Sequence, residues 1–121
     1  MAFACTHIVY RHDQPGWWLD RCTASTAMGA LAWMRLRVRV TADELGGLAV
    51  HTADAWLDDA DAQRAALEHL VDGRRTLFAL ADEDCRYDVA VEPLYQPWPK
   101  TGLRYRSGCP SERWRLAARR R

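Results

Sequence analysis

Lysine is almost absent from this chain: Lys100 stands alone beside sixteen arginines. Codon supply in a GC-rich genome produces such a bias, together with the abundance of alanine. The planar guanidinium recognises phosphate and carboxylate in a two-pronged way, but the bias lowers the functional weight of choosing Arg over Lys. Closely spaced cysteines are absent too. Cys5, Cys22, Cys85 and Cys109 are never nearer than seventeen positions and make no C-x-x-C, which leaves zinc-ribbon and thioredoxin-like chemistry without support.

There is no long hydrophobic run. The longest mostly apolar stretch, Ala24 to Met34, contains Ser25, Thr26 and Gly29 and is far short of a membrane span. Met1 to His7 has neither the basic nor the apolar segment of a secretory leader. The expectation is a soluble cytoplasmic protein with reduced thiols and no membrane contact. G-x-S-x-G, H-E-x-x-H and phosphate-binding loops are missing as well. No catalytic residue is therefore assigned.

What is present is a core and a charge boundary. The chain has 121 residues, 49% of them apolar, with six Trp. That fits one small domain. Residues 1–99 hold nine Arg against fifteen Asp or Glu. Residues 100–121 hold Lys100 and seven Arg against Glu112 alone. An acidic domain over 1–99 is thus followed by a basic C-terminal extension over 100–121. The formal net charge of +1 hides the split. Ser111, Trp114 and Leu116 suggest that the extension docks, in part, on the domain.

Local patterns give an element order. Thr6 to Arg11 reads as a strand, Asp13-Gln14-Pro15-Gly16 as a turn, and Trp17-Trp18-Leu19 as the returning strand. Thr23 to Trp33 is expected to be a short buried helix with Thr23 as its cap. In Arg35 to Val40, Leu36, Val38 and Val40 alternate with Arg35, Arg37 and Arg39, the pattern of a strand with one cationic face. Thr41-Ala42-Asp43-Glu44 has the form of a capping box, Gly46-Gly47 of a stop, and Leu48 to His51 of a short strand.

Asp58 to Asp72 is the best helix. Ala60, Ala66, Leu67, Leu70 and Val71 form its apolar stripe. Asp58, Asp59 and Asp61 sit at its positive end, His69 near its negative end and Gly73 at its stop. Thr76–Ala81 and Arg86–Glu92 form a hairpin through Asp82-Glu83-Asp84, with Tyr87, Val89 and Val91 on one face. Pro93, Pro97 and Pro99 then break regular structure. The expected fold is α+β: a mostly antiparallel sheet of five to six strands on one main helix.

Five constellations carry the candidate chemistry. Cys5-x-His7, with His12, His51 or His69, supplies metal-ligand types, but the spacings match no closed four-ligand site. No metal and no cofactor is expected. The carboxylates at Asp54 to Asp61 and Asp82 to Asp84 are explained by a helix dipole and a solvated turn. The arginine face Arg35, Arg37, Arg39 either pairs with cross-strand acids such as Asp88 and Glu92 or offers a platform for nucleic acid. Arg104, Tyr105, Arg106 and Arg113, Trp114, Arg115 interleave aromatics with cations, a combination that binds phosphates and stacks on bases. Trp17 and Trp18 are interface anchors or core cover.

The favoured function is a non-enzymatic adaptor or inhibitor of a protein partner. Its contacts would be Trp17, Trp18, Asp58, Asp59 and Asp61, with charge complementarity speeding association. The alternative is a nucleic-acid binder using the basic arm and the arginine face. The third reading is a small enzyme with dispersed residues around His7, His12 or His51.

Overall fold

The two ends of the described chain meet in the middle of one sheet. The computed structural model describes residues 2–11 and 14–95. The readings made for His12, Asp13, Pro97, Pro99 and the basic segment 100–121 lie outside them. Strand β1 (Ala2–Arg11) and strand β2 (Trp17–Ala24) form the first hairpin. Helices α1 (Ala27–Leu45), α2 (Leu48–Leu57) and α3 (Ala60–Val71) follow. Strands β3 (Thr76–Ala81) and β4 (Cys85–Leu94) form the second hairpin. β4 pairs with β1, giving an antiparallel order β2-β1-β4-β3.

The fold is therefore α+β, but among the described residues it has four strands and three helices rather than five to six strands on one helix. The cause is α1. Arg35 to Val40 is the middle of this 19-residue helix, not a strand. Its buried positions are Ala30, Leu31, Met34, Val38, Thr41 and Ala42, the three-and-four spacing of one helical face. Val38 belongs to that face, whereas Leu36 is 60% exposed. A six-residue alternation is too short to separate the two periods; the flanking Met34 and Thr41 decide.

The cap expectations move with the helix. Thr26, not Thr23, caps α1, its Oγ1 accepting from Gly29 N at 3.0 Å. Thr23 lies in β2. Thr41 lies in the last turns of α1 and donates from Oγ1 to the Arg37 carbonyl at 2.7 Å, so no capping box forms there. Gly46 (φ 69°) and Gly47 (φ 54°) end the helix as expected. Their ψ values, −173° and −127°, lie where a Cβ is disfavoured. Leu48 to His51 then opens α2 instead of forming a strand.

The second half matches the sequence in its elements, although of the expected apolar stripe of α3 only Ala66 and Leu70 are buried, while Ala60 and Val71, at the helix ends, are exposed. Asp59 caps α3, with its carboxylate accepting from Asp61 N and Ala62 N at 3.0 and 3.1 Å. In the β3–β4 turn, Asp82 Oδ1 accepts from Asp84 N and Cys85 N at 2.7 and 2.8 Å. Asp82 Oδ2 takes the Tyr87 hydroxyl at 3.1 Å. Pro93 sits inside β4 rather than breaking it. It lies beyond the last β3 pairing, Thr76↔Val91, so among the described residues only β1 runs beside it.

The helices cover one face of the sheet. Phe3, Cys5 and Val9 of β1 and Tyr87, Val89 and Val91 of β4 join Met34, Val38, Ala53 and Leu70 in a single core. Trp56 of α2 stacks obliquely on Phe78 of β3, centroids 4.8 Å apart. A bulge near His7 inserts Leu19 opposite no partner. It shifts the phase of β2, so that Trp17 and Leu19 before it and Cys22 and Ala24 after it all pack on the core.

Candidate functional site

The three arginines at alternate positions of α1 do not make a common face. A helix turns about 100° per residue, which puts Arg35 and Arg39 on one side and Arg37 on another. Arg35 Nη1 donates to the Leu57 carbonyl at 3.0 Å, occupying a carbonyl at the end of α2. Arg39 binds Asp54 of α2 through Nη2 and lies 3.4 Å from Asp43 of its own helix. The Asp54 hydrogen bond raises the Arg39 pKa above its ordinary value. Both side chains tie α1 to α2. Their expected cross-strand partners are elsewhere: Asp88 faces Arg86, Nε to Oδ1 3.2 Å.

Arg37 reaches the sheet. Its Nε and Nη2 lie 3.1 and 3.0 Å from His7 Nδ1, and its Nη1 lies 3.8 Å from Asp20. His7 is fully buried, and Asp20 is its cross-strand partner. Because Nδ1 accepts from Arg37, the ring proton is assigned to Nε2, which points at Thr41 Oγ1 3.2 Å away. The Thr41 hydroxyl returns to the Arg37 carbonyl. Arg37, His7 and Thr41 thus close a ring of hydrogen bonds between β1 and α1.

Burial first, and the Arg37 charge second, depress the His7 pKa from its ordinary 6.5 to about 3. Burial also lowers the Arg37 pKa. His7 is therefore a neutral imidazole with both nitrogens engaged, the state of a structural histidine rather than a general base. Sequence reasoning marked His7 for its nearness to Cys5 but missed this network. No local signal pairs His7 with a residue thirty positions away.

The remaining ligand types do not gather. His51 is exposed on α2, His69 stands in the last turn of α3, and His12 lies outside the described residues. Among the described residues no group of three or more His, Cys, Asp or Glu is placed to hold a metal ion. No described helix is long and apolar enough to cross a membrane.

The expected partner contacts split into two places. Asp58, Asp59 and Asp61 are exposed at the corner between α2 and α3. Asp59 is held by its capping bonds, and Asp61, its side chain 87% exposed, meets Arg64 at 3.0 Å. Trp17 and Trp18 lie on β2, at the sheet edge opposite β3, whereas α2 and α3 contact β3. Trp17 packs on the core. Trp18 is half-buried and carries the Arg21 guanidinium 3.9 Å above its ring. The fold does not bring the tryptophans and the carboxylates together. Arg104, Tyr105, Arg106, Arg113, Trp114 and Arg115 lie outside the described residues.

Comparisons with protein-family models, curated proteins and solved structures found no match to the chain.

Proposed function

We propose that this chain is a non-enzymatic binding protein, an adaptor or inhibitor, that meets a protein partner through the acidic α2–α3 corner. The observation that carries this reading is the corner itself. Asp58, Asp59 and Asp61 face solvent within four residues, on a backbone pinned by the Asp59 cap. Carboxylates presented on that backbone suit a cationic patch on a partner and would steer its approach. Trp17 and Trp18 belong to a separate edge and are not part of this contact.

The α1 arginines weigh against the nucleic-acid alternative, because each is engaged by a group of the chain itself and the three do not make one common face. That alternative rests on Arg104, Tyr105, Arg106, Arg113, Trp114 and Arg115. A cytoplasmic setting belongs to the same proposal and accords with the free Cys5, Cys22 and Cys85.

The test is retention of native-host protein or nucleic acid on the immobilised full chain, with and without nuclease treatment, in rising salt. The expected result is a partner whose binding weakens with salt and weakens further in the Asp58→Lys/Asp61→Lys variant, which leaves the Asp59 cap intact. Salt-insensitive binding, or retention of nucleic acid in place of protein, overturns the proposal.

A further inference from the structure

We infer that Cys5 and Cys22 form a dithiol site that a small disulfide of the glutathione type closes into a bond between β1 and β2. The two residues are direct partners in the antiparallel register, and both sit on the core side of the sheet. Opposed residues in such a ladder have Cα atoms about 4.5 or 5.5 Å apart. Both spacings fall within the range of about 4.4–6.8 Å that a disulfide spans. Among the described residues β2 is an edge strand, bonded only to β1, so it can shift slightly to bring the sulfurs together.

The two thiols differ in access, which sets the order of steps. Cys22 is half-buried, whereas Cys5 has no exposed surface. The Cys22 thiolate attacks one sulfur of the incoming disulfide, and one small thiolate leaves. The Cys5 thiolate then attacks Cys22 Sγ and expels the second. The external disulfide is reduced to two thiols, the Cys5–Cys22 pair is oxidised, and its two protons go to the departing thiolates. Cys85 does not compete from within the sheet. It pairs with Arg11, six residues along β1 from Cys5, or about 20 Å.

Burial pushes the Cys5 pKa up to about 12 and raises that of Cys22 as well. Closure is therefore slow at neutral pH and accelerates as pH rises, because the thiolate is the attacking form. The bond would clamp β2, and with it Asp20 beside Arg37.

The experiment exposes the native full chain to excess oxidised glutathione at mildly alkaline pH, then measures intact mass and maps peptides. The expected product has lost two hydrogens, yields a Cys5–Cys22 linked peptide and melts about 5 °C or more higher. The Cys85→Ser/Cys109→Ser variant should react in the same way, and Cys22→Ser should not close. A stable glutathione adduct on Cys22, a link through Cys85 or Cys109, or no change in mass each overturns the inference.

Discussion

Two charged regions of this molecule do opposite things with their charge. At the contact of β1, β2 and α1, Arg37 is turned inward onto His7 and Asp20, with its side chain only 19% exposed. At the α2–α3 corner, Asp58, Asp59 and Asp61 are turned outward into solvent. In the first region a polar group buried without its partner costs far more than the bond itself contributes. In the second, water and salt screen each charge, so single pairs such as Asp61–Arg64 contribute little. The inward region is where charge holds the fold, and the outward region is where charge is available to a partner.

The sharpest way to break this contrast is Arg37→Met. It leaves His7 Nδ1 and Asp20 without the guanidinium and should cost about 2–3 kcal/mol in urea unfolding. A loss no larger than that of a surface substitution would place Arg37 with the outward charges.

Acid pH tests the same region through His7. Its folded pKa lies below its unfolded value, so the unfolded chain binds the proton first as pH falls. The stabilising effect of neutral His7 is present above about pH 6.5 and is lost on the way down to about pH 3, by up to about 1.4 kcal/mol per pH unit. His7→Gln removes that titration. Its stability should change less steeply with pH across this window than that of the wild type, and parallel curves would show that His7 is not held neutral.

Asp59→Ala addresses the one carboxylate of the corner that also serves the fold. Loss of its two capping bonds should cost about 1 kcal/mol, while Asp59→Asn should recover most of it. The smallest effect on stability belongs to Asp58→Asn/Asp61→Asn, which removes the charges without placing cations at the positive end of α3. Its thermal unfolding should nearly match the wild type while partner binding falls. A large drop in melting temperature would mean that the corner is structural.

The two regions were unequally legible. The corner could be read from neighbours in sequence: Asp59 ahead of an apolar stripe, His69 at its far end and Gly73 beyond it. Those are local dipole and capping signals, and α3 realises them within two residues. The second hairpin was equally plain, because Tyr87, Val89 and Val91 alternate through a strand whose turn chemistry lies in the adjacent Asp82. The inward region was not legible. Arg35 to Val40 alternates like a strand, and only the packing of Met34, Val38 and Thr41 beneath the sheet makes it a helix.

By itself, then, the sequence determined the α+β class, the two hairpins, the capped α3 helix and the exposure of its acidic start. Each depends on residues within a turn or a strand length of one another. The tertiary structure alone decided that Arg37 meets His7 across thirty positions, that Arg35 and Arg39 bind α2, and that Cys5 faces Cys22. Those contacts follow from strand register and helix rotation, which are set by burying one face of each element against the others.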